Sequence, residues 1–231
     1  MLHRTKLMLK AGFASGLLFT AFLVQAETPV VIKKETPAYI LDIKYPQGFK
    51  TDSVNAAIKN FIDSTQKEFM NELSEDEDTP ADAPGKTGLN VTYSIPYKSD
   101  TALSVQFNVS IYHKGAAHPA NTVAVVNFVK GQEVKLADLF VSGADYLKPI
   151  SAFAKKAITA KKISDEKWIS EGTKPTTENY AVWYFTDKGI AVLFNSYQVA
   201  AYVYGEQTIN IPLSLISAML KPEIAKSVWG N

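Results

Sequence analysis

The chain has 231 residues, with 24 Lys plus Arg against 23 Asp plus Glu, 46% hydrophobic residues and no cysteine. Near-neutrality excludes the broad basic field with which proteins capture nucleic acid, and the lack of cysteine excludes disulfides, thiolate nucleophiles and cysteine-ligated zinc. Stability must come from apolar burial, which a chain of this size supplies in one large or two small domains.

Arg4, Lys6 and Lys10 precede an apolar run over residues 11–24, and Val24 and Ala26 put small residues at minus three and minus one of a cleavage site. This is the pattern of a secretory signal spanning residues 1–26. The run is shorter than the roughly 20 residues of a bilayer span, and no cysteine follows it to accept a lipid. Removing its three basic residues leaves 21 against 23 acidic ones, a mature net charge of minus 2. A periplasmic or secreted protein without a stable membrane span is expected.

Residues 27–37 are polar and proline-bearing and read as a flexible lead-in. Tyr39, Leu41 and Ile43 alternate as a short strand, which Tyr45, Pro46, Gln47 and Gly48 break. From Asp52 the period lengthens: Val54, Ile58, Phe61, Ile62, Thr65, Phe69 and Leu73 share one helical face, with Asp52 or Ser53 as N-cap. Glu75, Asp76, Glu77 and Asp78 follow contiguously, without the alternating spacing and glycine turn of a calcium loop, so a solvated loop is predicted.

Beyond this loop the period is two. Leu89, Val91, Tyr93, Ile95 and Tyr97 form one face and Leu103, Val105, Phe107, Val109 and Ile111 another, joined by a short polar turn as an antiparallel hairpin. A third run over 122–129 ends at Lys130 and Gly131 and leads into 134–140, completing a meander. Helices are predicted over 144–161 and 164–170, then a hairpin of 180–185 and 190–194 around Asp187, Lys188 and Gly189. A strand over 207–211 and helical turns opened by Pro212 and Pro222 close the chain.

This order predicts an α+β fold, with antiparallel hairpins and a meander covered by two main helices in two similar halves, residues 38–130 and 131–231. A soft boundary falls near Gly131 or Leu139. One sheet continuous through both halves is among the arrangements the order allows.

Chemistry would have to pass through residues 112–121, YHKGAAHPAN, which hold the two histidines beyond the signal, His113 and His118. No carboxylate lies between Asp100 and Glu133, and two histidines fall short of the three or four ligands a zinc site needs. Strand parity carries His113 onto the face of Leu103 to Ile111 and points Tyr112 the other way. The mature chain has no G-x-S-x-G elbow and no phosphate-cradling glycine loop, and its carboxylates show no spacing that singles out a catalytic pair. No residue is assigned a catalytic role, and no metal or cofactor is expected. The second dense segment, 194–205, sets Tyr197, Tyr202 and Tyr204 beside Asn195 and Gln198. Such a surface can stack on sugars or pack at an interface; half-buried tyrosines holding a corner are the alternative. Asn90 and Asn108 match glycan acceptors but fall within predicted strands.

Tyr112, then Gly115, Ala116, Ala117 and His118, then LADLF at 136–140, then FNSYQVAAYVYG at 194–205 occur in a recognisable order and spacing. Over residues 39–220 the chain resembles a bacterial extracytoplasmic domain family. That family is shared by the ectodomain of the lysozyme-sensing anti-sigma factor RsiV and the non-catalytic region of a peptidoglycan deacetylase. Ala116 replaces the family's second glycine, which puts a backbone-approach role for that position in doubt. The resemblance implies a sensing or binding module without the anti-sigma or deacetylase output. Peptidoglycan fragments and a lysozyme-like muramidase are the implied candidate ligands. Tyr112, His113, His118, Asn195, Tyr197, Tyr202 and Tyr204 are the candidate ligand-binding residues. A cell-wall hydrolase using His118 and a structural envelope subunit are the competing readings.

Overall fold

The computed structural model describes residues 27–75, 80 and 82–230; the signal sequence, its cleavage site and the acidic residues 76–78 lie outside the described residues. Among the described residues the strands form two sheets. The larger runs β1 (Thr28–Glu35), β2 (Tyr39–Gln47), β3 (Thr87–Lys98), β4 (Ala102–Tyr112), β5 (Ala120–Val129) and β6 (Gln132–Glu133) in that order; the smaller runs β7 (Trp183–Thr186), β8 (Gly189–Phe194) and β9 (Gln207–Pro212). The helices are α1 (Asp52–Glu75), α2 (Leu147–Lys161), α3 (Glu166–Gly172), α4 (Leu213–Ile216) and α5 (Pro222–Trp229). The fold is α+β and mainly antiparallel.

The helical period that begins at Asp52 closes one core. Val54, Ile58, Ile62 and Phe69 of α1 are buried against Leu41, Ile43, Leu89, Val91, Val105 and Phe107 of the large sheet, and Phe61 stacks on Phe107 at 4.5 Å. Each such side chain contributes about 1.5–3 kcal/mol on leaving water. A second core lies on the opposite face of β4 and β5, where Ala102 and Val129 meet Trp183, Phe185 and Ile190, with Ile150, Ala154 and Ile158 of α2 as cover. Helix α5 clasps both sheets: the Tyr97 hydroxyl donates to Val228 O at 3.0 Å and Trp229 Nε1 to Thr186 O at 2.9 Å.

The sheets are not continuous. β7 lies across the face of β4 and β5 rather than beside an edge, and side chains rising from that face take its backbone groups. Phe185 N donates to Ser104 Oγ at 3.1 Å, and Asn127 Nδ2 donates to Trp183 O at 2.7 Å. The Ser104 hydroxyl in turn donates to Asn127 Oδ1 at 2.6 Å. Each half sets a sheet against one long helix, but the sheets differ in width, six strands against three.

Several local features differ from the sequence reading or go beyond it. Residues 28–35 form an edge strand rather than a flexible lead-in: Val30 and Ile32 alternate onto the core while Lys33 and Lys34 keep the edge charged. Strands β2 and β3 pair in parallel, because α1 intervenes as a crossover. A bulge between Ser94 and Tyr97 breaks the parity of β3, so Tyr97 leaves the face of Leu89, Val91, Tyr93 and Ile95 and joins the second core. Residues 134–140 do not extend the meander, since pairing ends at Glu133 and Leu136–Leu139 form a 3-10 turn whose Asp138 accepts from Lys135 N at 2.8 Å.

The strand expected from residue 180 begins only at Trp183, leaving Tyr180 fully buried in the preceding turn, where its hydroxyl donates to Thr173 O at 2.9 Å. Burial pushes the phenol up to about 12 from 10.0. The unfolded chain ionises this tyrosine first as pH rises, so its contribution is intact below pH 10 and is lost between about 10 and 12. Alkaline unfolding over that window, followed by circular dichroism, is expected for the wild type and should be blunted in Tyr180→Phe.

Candidate functional site

The turn between β4 and β5 is built on one glycine. Gly115 takes a left-handed φ of 82° and donates from its N–H to Pro84 O at 2.8 Å, whereas Ala116 is not among the residues with positive φ. Alanine therefore fits where the family pattern has a second glycine. His113 faces α1 as its parity requires, with Nε2 3.7 Å from Glu72 Oε2. Tyr112 turns away and packs its ring over Gly85, where an added Cβ would meet the ring at 2.7 Å. Neither residue joins the other candidates.

His118 does. Its ring stacks on Tyr202 with centroids 4.2 Å apart and 18° between planes, and Tyr197 continues the series at 5.5 Å and 31°. Tyr202 is the middle rung and is held by its hydroxyl, which accepts from Asn121 Nδ2 at 2.8 Å and donates to Pro119 O at 3.2 Å. The same carbonyl lies 2.9 Å from His118 Nδ1, so a proton on Nδ1 fixes the imidazole in line with the stack. Aromatic pairs of this geometry contribute about 0.5–1.5 kcal/mol beyond their buried area.

The outer rung is held under strain. Tyr197 has φ 67°, a conformation costly for a residue with a Cβ, and Trp168 Nε1 donates to its carbonyl at 2.9 Å. Gln198 closes the turn: its Oε1 accepts from Asn195 N at 3.1 Å, while its Nε2 donates to Gly172 O at 3.2 Å and Asn179 O at 3.0 Å. Tyr197 is nevertheless 53% exposed. Tyr204 and Val203, 49% and 84% exposed, follow Tyr202 on one short turn and widen the apolar surface.

Asn195 has a different task. Its side-chain amide pairs with the free edge of β5, accepting from Val123 N at 2.7 Å and donating to Val123 O at 3.3 Å, as a neighbouring strand would. Of the seven expected site residues, the structure brings together His118, Tyr197 and Tyr202, with Tyr204 alongside. Asn195 supports their loop, and Tyr112 and His113 belong to the β4 corner. Gln198, which the sequence set beside these tyrosines, also supports the stack, as do Asn121, Trp168 and Gly172, which were missed because their partners lie far away in the chain. Among the described residues no group of three His, Asp or Glu side chains is placed to hold a metal ion.

Residues 137–214 match the model of a family described as a protein of unknown function, DUF3298, and residues 32–121 match a model described as deacetylase PdaC. The chain is 31% identical over 185 residues to the peptidoglycan-N-acetylmuramic acid deacetylase PdaC of Bacillus subtilis (strain 168), covering 78% of this chain and 39% of that protein. Residues 137–214 therefore carry a DUF3298 region, preceded by a PdaC-like region. A crystal structure of a DUF3298 member from Bacteroides fragilis superposes with a TM-score of 0.61 at 17% identity, covering 90% of this chain and 99% of that one. One from Pseudomonas aeruginosa PAO1 gives 0.67 at 13% identity over 87% and 96%. At these identities the likeness is one of DUF3298 fold. Because this chain spans 39% of the curated relative, the activity in that relative's name stays with that protein.

Proposed function

We propose that this chain is an extracytoplasmic, non-enzymatic binding protein that holds peptidoglycan glycan on the ring stack of His118, Tyr202 and Tyr197. The observation that carries the reading is the stack itself. Three rings are aligned at 4.2 and 5.5 Å and anchored through Asn121 and Pro119, with their outer member open to solvent. The apolar face of a sugar ring packs on such a surface, and fixed rings give contact area at little entropic cost. The signal-like residues 1–26 and a relative named for a peptidoglycan sugar support the compartment and the ligand class.

A lysozyme-like muramidase is the second candidate partner, favoured by Val203, whose 84% exposure next to Tyr204 forms an apolar knob suited to a protein surface. The hydrolase reading is weaker. Among the described residues no carboxylate is paired with His118; the histidine–carboxylate pair is that of His113 with Glu72.

Calorimetric titration of the purified protein with soluble muropeptides and with a C-type lysozyme tests the reading. Tyr202→Ala removes both ring contacts and should weaken glycan binding about tenfold or more, given about 0.5–1.5 kcal/mol per contact, with an unchanged far-ultraviolet spectrum. Absence of heat from the wild type with both ligands would overturn it.

A further inference from the structure

In an antiparallel ladder alternate residues turn their N–H and C=O away from the partner strand. On β5 Val123 is one of these, and Asn195 takes both its groups at 2.7 and 3.3 Å. Asn127 is another, and its C=O accepts from Val134 N at 2.8 Å. Val125 lies between them, so its N–H and C=O also face outward, and among the described residues neither has a hydrogen-bond partner. Val125 stands on the wall of a cavity of about 440 Å³ whose other walls include Leu136, Tyr146, Tyr180 and Trp183.

An open strand edge takes another backbone. A long strand is excluded here, because it would need the outward groups of Val123 and Asn127, which Asn195 and Val134 occupy. What fits is one extended amino-acid residue, whose own N–H and C=O flank its Cα as those of Val125 do. The walls also carry Lys135, Glu133 and Glu178. The Glu178 carboxyl is held below the usual range by its own backbone N–H and by the hydroxyls of Thr177 and Thr176. Both signs of charge are therefore offered to a short peptide that has a free carboxylate and a free amine.

We propose that this cavity is a second subsite, binding the short peptide of a muropeptide through a one-residue β-bridge to Val125 while the ring stack holds its sugar. The proposal rests on the glycan reading of the stack. Asn121, which anchors Tyr202, is four residues from Val125 on the same strand, roughly 13 Å at 3.3 Å per residue. One molecule carrying both parts can therefore span both places, which raises affinity without new contacts.

The test compares a peptide-free disaccharide, the same disaccharide carrying a tripeptide, and the tripeptide alone, by calorimetry. The wild type should bind the disaccharide-tripeptide at least tenfold more tightly than the disaccharide. That gap should vanish in Val125→Pro, which removes the outward N–H at a strand edge where proline is tolerated, and in Ala181→Trp, which fills the cavity while leaving the residues of β5 unchanged. Equal binding of the first two ligands by the wild type, or a gap unchanged in Ala181→Trp, would overturn the proposal and leave the stack's role intact. Loss of disaccharide binding with tripeptide binding retained, and abolished by both substitutions, would instead remove the glycan reading and keep the subsite. An unstructured polypeptide competing as well as the tripeptide would overturn the short-peptide assignment.

Discussion

Replacing Asn127 with Ala should lower the unfolding free energy by about 3 kcal/mol. Asn127 is 3% exposed, accepts from the Ser104 hydroxyl at 2.6 Å and donates to Trp183 O at 2.7 Å, and Ser104 Oγ receives Phe185 N at 3.1 Å. These side chains do for β7 what a neighbouring strand would do. Truncation leaves a buried carbonyl and a buried hydroxyl short of a partner, at about 1–3 kcal/mol each. For a chain of this size that corresponds to a melting point lower by about 6–12 °C. Urea denaturation measures it, and a double-mutant cycle with Ser104→Ala should show coupling of about 1 kcal/mol between the two side chains. A loss below about 1 kcal/mol would show that the Asn127 hydrogen bonds contribute little to joining the two sheets.

Gly172→Ala should cost about as much and should also weaken glycan binding. An added Cβ at this position would lie 2.0 Å from Gln198 O and 2.8 Å from Gln198 C, so main chain, not a flexible side chain, has to move. Gly172 ends α3, and Gln198 follows the strained Tyr197, so relief of the clash displaces the outer rung of the ring stack. We expect a loss of about 3 kcal/mol or more, as for other overpacked sites, and reduced muropeptide heat although every ring is still present. Gly143→Ala is the control. Its φ is 79° with nothing within 4 Å of the added Cβ, so only the conformational cost of about 1 kcal/mol applies, with binding unchanged.

Helix α1 was legible because its apolar residues recur every three or four positions over 24 residues, and the β3–β4 hairpin because period-two runs flank a polar turn. Strand β1 was not, since three apolar residues among lysines and prolines carry too little pattern, and its pairing with β2 supplies the missing order. The bulge that turns Tyr97 over leaves no mark in a period-two count. In the candidate site, residue type pointed to His118, Tyr197 and Tyr202, and parity separated His113 from Tyr112. The same reasoning placed Asn195 among ligand contacts, although its amide completes the edge of β5.

Composition and local period are properties of neighbouring residues, so the sequence by itself determined most of the element types, the α+β class, the near-neutral charge and the lack of cysteine chemistry. Which faces meet depends on groups far apart in the chain. Ser104 and Asn127 meeting β7, Asn121 reaching Tyr202 across 81 positions and Val123 meeting Asn195 across 72 were decided only in the tertiary structure. The physical reason is that buried backbone groups must be paired. Folding settles which remote side chain provides each pair, and that choice lines up three rings and leaves Val125 open.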